Sequence, residues 1–239
     1  MKHVILGNGP AGVIAAETIR KYSPMAEILM IGSEDGPPYS RMAIPYLLMG
    51  HIQESGTYLR KDQHHFSKLN ITQLNAKVKS VDCKAKQLIF EGQSNKPIAF
   101  DKLLIATGSV PVRPPIPGID LPGVHSCWTL DDARAIAQLA KPGSRVLQMG
   151  AGFIGCIILE ALASRKVELT VVEMGNRMVP RMMTEVAGGM IKQWVQSKGV
   201  QVFTDTRVQE ITHPGSALNV SLSNGKILEV DLVISATGV

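Results

Sequence analysis

An α/β fold built twice over is predicted by three features of the 239-residue sequence. Strand-like and helix-like segments alternate along the chain, the signature of a largely parallel sheet with helices on its faces. The glycine run Gly7-Asn8-Gly9-Pro10-Ala11-Gly12 returns as Gly150-Ala151-Gly152-Phe153-Ile154-Gly155, each time between a short apolar strand and an apolar helix. A second echo links the halves: Leu104-Ile105-Ala106-Thr107-Gly108 returns as Val233-Ile234-Ser235-Ala236-Thr237-Gly238.

In the first half, residues 3–6 form the opening strand. The helix behind it carries Ala11, Ile14, Ala15 and Ile19 at spacings of three and four, which predicts that these four make its buried face. Ser23-Pro24 ends the helix, and 27–31 is the second strand. Residues 33–50 form a long connection punctuated by proline and glycine. Strands follow at 78–82, 87–90 and 103–106. The stretch 110–118 then holds five prolines and glycines in nine residues, so neither a helix nor a central strand can cross it. It places the domain boundary, with a first domain at 1–110 and a second at 111–239.

In the second half, Thr129-Leu130-Asp131-Asp132 reads as the cap of a helix. Residues 145–149 form the strand before the second glycine run. The helix after that run is expected to bury Ile154, Ile158, Ala161 and Leu162 on one face. A strand at 169–173, a helix at 184–198, and strands near 200–203, 207–212, 218–222, 226–230 and 231–236 complete the chain. Asn224-Gly225 reads as a hairpin turn between two of them.

Composition narrows the function classes. The 45% hydrophobic content fills a core, no stretch is long and apolar enough to span a membrane, and a strand begins too early to leave room for a signal peptide. A soluble cytoplasmic protein is expected. Cys83, Cys127 and Cys156 form no C-x-x-C pair, which argues against a disulfide framework, a zinc site or a redox dithiol; all three read as buried structural thiols. The formal charge of +5 comes without a basic run interleaved with aromatics, so no nucleic-acid partner is expected. His64-His65 lacks the acids or cysteines that would complete a metal site and reads as part of a solvated helix or loop. Methionines 174, 178, 182, 183 and 190 read as core or interface packing, and Trp128 and Trp194 as packing residues.

The glycine runs suit nucleotide pyrophosphate. The phosphates must approach free backbone amides at a helix N-terminus, where the helix dipole favours them and a Cβ would block them. Gly7 and Gly150 make the turns, Gly9 and Gly152 permit the approach, and Gly12 and Gly155 let helix meet strand. An acid at the end of the next strand holds ribose hydroxyls. Glu173 stands at that point in the second half, and its charge favours NADH and disfavours NADPH, with Arg177 and Arg181 close enough to soften the preference. In the first half the acid is displaced past Gly32-Ser33, and Glu34 is the candidate.

Taken together, these motifs resemble the FAD-dependent pyridine nucleotide–disulfide oxidoreductase superfamily along the whole chain. The resemblance implies two Rossmann-like domains, an FAD domain with an NAD(P)H domain inserted in it. It places FAD against Gly7, Gly9, Pro10, Ala11, Glu34, Arg41, the backbone of Val78, Thr107 and Gly108. It places NADH against Gly150, Gly152, Phe153, Ile154, Gly155, Glu173 and Gly238. The segment 33–41 is similar to ferredoxin and rubredoxin reductases, whereas 42–47 is more similar to coenzyme A disulfide reductases and NADH oxidases. In that alignment Met42 replaces the redox cysteine and Pro10 replaces a histidine, so thiol chemistry at the flavin is not expected. Ile157 stands where the family usually has a glutamate near the nicotinamide.

The resemblance also implies a further segment after Val239. It would complete the FAD domain and add an interface domain through which the full-length protein forms a homodimer. An incomplete FAD domain that holds flavin weakly or not at all is therefore expected here, beside a nearly complete NADH domain. The expected function is transfer of electrons from NADH through flavin to an external acceptor: a ferredoxin- or rubredoxin-like carrier, a reductase module or dioxygen. The alternatives are an enzyme of the coenzyme A disulfide reductase or NADH oxidase type, and a weakly catalytic NADH-binding sensor or interaction module. No catalytic acid or base is assigned, because hydride transfer to flavin needs none, and no metal site is expected.

Overall fold

The computed structural model describes residues 1–92 and 96–238; Val239, the last residue of the expected second domain, lies outside them. The chain forms two compact units, Met1–Ser40 with Glu54–Ser109, and Arg41–Gln53 with Val110–Val239.

The first unit runs β1 (Lys2–Leu6), α1 (Pro10–Tyr22) and β2 (Glu27–Gly32); α2 (Ile44–Leu48), next in the chain, belongs to the second unit. It continues with α3 (His65–Lys68), β3 (Ile71–Asn75), β4 (Val78–Asp82), β5 (Gln87–Phe90), β6 (Ile98–Ala99) and β7 (Lys102–Ile105). A parallel sheet has the order β3-β2-β1-β7, with Val4 opposite both Leu29 and Leu103, and β4-β5-β6 form an antiparallel ribbon. The two-residue period of the strands divides the core. Ile5, Ile28 and Met30 pack with Val13 and Ala16 of α1, while Val4, Leu6, Leu29 and Ile31 pack with Leu88 and Phe90 of the ribbon.

Helix α1 is rotated from its expected face. Gly12, Val13 and Ala16 are buried, whereas Ala11 and Ile14 are exposed and Ala15 and Ile19 lie between. Gly12 sets the rotation: a Cβ there would lie 1.9 Å from Gly7 O, so only this glycine can face the strand, and Val13 and Ala16 follow it inward. Spacing by threes and fours cannot distinguish two overlapping apolar faces.

The second unit repeats the plan. It holds α2, β8 (Val124–His125), α4 (Leu130–Leu139), β9 (Arg145–Met149), α5 (Phe153–Ser164), β10 (Glu168–Val172), α6 (Glu185–Ser197), β11 (Gln201–Phe203), β12 (Val208–Thr212), β13 (Leu218–Leu222), β14 (Ile227–Val230) and β15 (Leu232–Ser235). Its parallel sheet has the order β11-β10-β9-β15-β8, and β12-β13-β14 form an antiparallel ribbon. Strands β3-β2-β1-β7 and β11-β10-β9-β15 therefore occupy equivalent places, the strand order of a Rossmann-like half. The hairpin turn expected at Asn224-Gly225 joins β13 to β14, with Gly225 at φ +83°.

The connection 33–50 contains more structure than its prolines suggested. A 3₁₀ turn at Arg41–Ala43 leads into α2, whose second residue, Pro45, needs no intrahelical donor. This helix buries Ile44 and Leu48 and packs against α4 and α5. Arg165 ties the three together, donating to Leu48 O, Ala140 O and Ala137 O at 2.7–2.8 Å. Residues 41–53, placed in the first domain by a cut at 110, thus pack with the second unit.

Candidate functional site

The two glycine loops are built bond for bond alike. Gly7 and Gly150 have φ of +105° and +92°, and their amides donate to Ile31 O and Val172 O at 2.7 and 2.8 Å. Ala106 and Ala236, which open the two Ala-Thr-Gly segments, donate to Leu6 O and Met149 O at 2.7 and 2.8 Å. Each carbonyl then sits on the turn glycine: a Cβ would lie 2.1 Å from Ala106 O at Gly7 and 2.5 Å from Ala236 O at Gly150. The Ala-Thr-Gly echo is therefore the partner of the glycine echo within each unit.

Gly9 and Gly152 behave differently. They are the N-caps of α1 and α5, with φ/ψ of −73°/−175° and −72°/−171°, and a Cβ on either meets nothing within 4 Å. Neither helix start has a side-chain cap. The other two helices of ten residues or more do: Thr129 accepts from Asp132 N in a full capping box, and Thr184 accepts from Ala187 N. Helix N-termini carry amides with no acceptor inside the helix. The two helices that leave them uncapped are the two that follow open glycine turns, which is how a pyrophosphate cradle is built. The residues present fit a dinucleotide in each unit.

Glu173 follows β10 and is buried at the second loop. Its Oε2 accepts from Ala151 N at 2.7 Å and its Oε1 from Gly175 N at 2.8 Å, so its orientation is fixed by backbone. Cys156, in the first turn of α5, has its thiol pushed up by burial and by the Glu173 charge, and it remains protonated despite the helix N-terminus. Phe153 is exposed, Ile154 is half-buried, and Gly238 O accepts from Val112 N at 2.9 Å. Ile157 is half-buried one turn into α5.

In the first unit, the C-terminal ends of β1, β2 and β3 enclose a cavity of about 650 Å³ lined by Asn8, Glu34, Tyr58, Arg60 and Lys61 among others. Tyr39 Oη donates to Glu34 Oε2, which places the carboxylate at the cavity wall. The Asn8 side chain fills the space where a Cβ on Gly32 would stand, so a larger residue there would displace Asn8 from the cavity wall. Thr107 and Gly108 are exposed after β7, and Val78 opens β4 opposite Phe90. Pro10 is exposed at the first position of α1. Arg41 lies in the second unit, where it donates to Trp128 O at 2.7 Å and stacks 5.2 Å from the Trp128 ring centre.

Two features leave no trace in the local sequence pattern: Arg60 at the cavity, and the His125 ring beside the Asp132 of the helix cap. Arg60 at the cavity is held by Glu17, which also meets His65 Nε2 at 2.7 Å. His65 is therefore half-buried against Glu17, whereas His64 is exposed. A basic residue 43 positions from its acid leaves no local signal. Asp132 accepts from Trp128 N and Thr129 N at 2.8 and 3.0 Å, with the His125 ring 3.8 Å away. Burial alone would raise its pKa, but His125 and the two amides outweigh it and hold the carboxyl well below the usual range.

The three cysteines are not alike. Cys127 is buried, and burial with the nearby Asp132 charge pushes its thiol up to about 12. Cys156 is half-buried and Cys83 is exposed, because it sits in the turn between β4 and β5 and not in a core strand. Of the methionines read as packing, Met178 is buried while Met174, Met182, Met183 and Met190 are exposed, as is Trp194. No group of His, Cys, Asp and Glu able to hold a metal occurs among the described residues, and no helix among them is long and apolar enough to cross a membrane.

Comparison with known proteins agrees with this geometry. An NADH oxidase of Methanocaldococcus jannaschii is 31% identical over 100% of this chain and 54% of its own length, and the rhodocoxin reductase of Rhodococcus erythropolis is 29% identical over 100% and 56%. The solved structure of an NAD-dependent persulfide reductase from A. fulgidus superposes with a TM-score of 0.91 at 32% identity, over 100% of this chain and 46% of that one. The chain spans about half the length of the curated relatives it matches. The sequence pattern described as pyridine nucleotide-disulphide oxidoreductase matches residues 1–239, and this chain belongs to that family.

Proposed function

We propose that the first unit binds FAD at its glycine loop, that the second binds NADH, and that the protein passes electrons from NADH through the flavin to an external acceptor. The observation that carries this reading is the pair of open, uncapped helix starts at Gly9 and Gly152, in a chain where the other long helices are capped by threonine. In the first unit, Gly9, Pro10 and Ala11 present the helix start to the FAD pyrophosphate, and Glu34 at the cavity wall takes the ribose hydroxyls. Thr107 and Gly108, with the Val78 backbone, complete the set within that unit. In the second, the amides following Gly152 receive the NADH pyrophosphate, Phe153, Ile154 and Gly238 flank the cofactor, and Glu173 accepts from the adenosine ribose. The Glu173 carboxylate repels a 2′-phosphate, so NADH is preferred to NADPH. When bound, flavin supplies the two-electron chemistry that links a nicotinamide to one- or two-electron acceptors.

The acceptor is external. Met42 offers a thioether in place of a thiol, Cys127 and Cys156 are held protonated, and Cys83 lies in the β4–β5 turn. An electron-carrier protein of ferredoxin or rubredoxin type, or a small molecule such as dioxygen, fits this arrangement, and similarity to both a reductase and an oxidase supports the same range. Anaerobic stopped-flow mixing of the FAD-loaded full-length protein with NADH tests the proposal. Bleaching of the visible flavin band is expected, followed by its return on adding an acceptor. A band unchanged by NADH overturns the reading.

A further inference from the structure

Gln148 stands in β9, two residues before the turn glycine Gly150, and is fully buried with Val171 of β10 and Ile234 of β15 as its neighbours in the sheet. A primary amide in such a place has given up its water and must find partners within the protein. Its Nε2 donates to Gly150 O at 2.9 Å and to Gly155 O at 3.0 Å. Two carbonyl oxygens meet that end of the side chain, so it is the NH2 end, and both of its hydrogens are used. Oε1 has no hydrogen-bond partner, the one buried side-chain polar atom in that state among the described residues.

The first glycine loop shows that the fold itself does not need this amide. Ile5 holds the same place, two residues before Gly7, is equally buried, and packs with Val13 and Ala16 of α1. There the last glycine of the run rests directly on the first: a Cβ on Gly12 would lie 1.9 Å from Gly7 O. In the second loop the same measure, from Gly155 to Gly150 O, is 2.5 Å, and Gln148 Nε2 lies 3.0 Å from that Cβ. The amide is inserted where turn and helix meet, is bonded to both, and the helix stands further off. An aliphatic side chain would fill the position without an unsatisfied oxygen, so the amide lowers stability here. What it supplies is a tie between the two ends of the loop 150–155, the loop that opens the uncapped start of α5.

We infer that Gln148 is a positioning residue for the NADH pyrophosphate, one that sets the distance between the glycine turn and the first turn of α5. The inference rests on the second loop being the NADH site. Being fully buried, Gln148 acts through the carbonyls of Gly150 and Gly155 and not by touching the cofactor. Glu173 Oε2 accepts from Ala151 N in the same loop, so two side chains from neighbouring strands fix the loop, one by its carbonyls and one by an amide. A loop held in this way is ordered before the cofactor arrives, and binding then loses less conformational entropy.

Gln148→Met, close in shape but without the amide, and Gln148→Ile, the side chain of the first loop, test the inference in the full-length protein. Titration of nicotinamide fluorescence is expected to show NADH, and ADP-ribose in competition with it, weakened alike by about tenfold, because the two share the pyrophosphate. Differential scanning fluorimetry should find Tm unchanged or raised, since the unsatisfied oxygen leaves with the amide. With FAD bound and ferricyanide as acceptor, KM for NADH should rise while kcat stays within about twofold of wild type. A glutamine that serves stability alone would give the opposite pattern, a lower Tm with NADH affinity intact. Wild-type affinity in both variants overturns the inference and leaves the NADH site standing. Weaker binding accompanied by a Tm more than about 5 °C lower also overturns it, because the loop has then melted and not merely shifted. A wild type that binds neither NADH nor ADP-ribose overturns it together with the reading on which it rests.

Discussion

Gly150→Ala and Gly152→Ala, two residues apart in one loop, are expected to separate folding from binding. At Gly150 a methyl would stand 2.5 Å from Ala236 O at a φ of +92°. The left-handed backbone alone costs about 1–2 kcal/mol with a side chain, and displacing a backbone carbonyl adds a comparable amount. The total of about 2–4 kcal/mol lowers Tm by roughly 5–15 °C for a chain of this size. At Gly152 the backbone is extended at −72°/−171°, where alanine is at ease, and the methyl meets nothing within 4 Å. The reduced entropy of the unfolded chain, about 0.4–1 kcal/mol, offsets the poorer N-cap, so Tm should move by no more than ~3 °C. The same methyl points into the space a pyrophosphate needs. Losing one charge-assisted hydrogen bond, about 1.5–3 kcal/mol, weakens NADH by roughly 10- to 150-fold. Differential scanning fluorimetry and titration of nicotinamide fluorescence read the two effects. Wild-type NADH affinity in Gly152→Ala would refute the cradle, and an unchanged Tm in Gly150→Ala would refute the packing argument.

Glu173→Gln is expected to narrow the preference for NADH over NADPH at least fivefold, because the repulsion of a 2′-phosphate goes while an amide oxygen still accepts one backbone bond; paired titrations with the two cofactors check this. Asp132→Asn should cost about 1–2 kcal/mol at neutral pH, because a neutral amide oxygen replaces the charged acceptor of Trp128 N and Thr129 N. The folded Asp132 pKa lies below its unfolded value near 4, so its contribution is complete above that value and disappears as pH falls further. Acid unfolding monitored by circular dichroism should therefore be less steep below pH ~4 in the variant than in wild type. In the native protein a thiol reagent near neutral pH should modify Cys83 quickly, Cys156 slowly and Cys127 only after denaturant is added, as mass spectrometry of the labelled peptides would reveal. Arg165→Ala removes donors from three carbonyls and should raise protease sensitivity in 41–53 more than elsewhere.

Local chemistry made much of this protein legible without coordinates. The fingerprint glycines, the Thr129 cap, the Asn224-Gly225 turn and the period-two strands are short-range devices, each specified by neighbours within a few residues, and the structure places all of them where the sequence indicates. The doubled plan was legible because both copies of the motif survive in order. Tertiary packing decided what lies beyond that range. Gly12 chose which of two apolar faces of α1 turns inward, through a contact of backbone with backbone that no periodicity records. Arg165 drew residues 41–53 to the second unit across more than a hundred residues. Glu17 captured Arg60 and His65 in the same way. The exposed methionines and Trp194 show the limit most plainly, since an apolar side chain reads alike as core or interface packing until the fold shows whether it is covered. Sequence alone determined that this chain carries two glycine loops, each between a strand and a helix; only the fold decided which side chains surround them and which apolar surface remains in water.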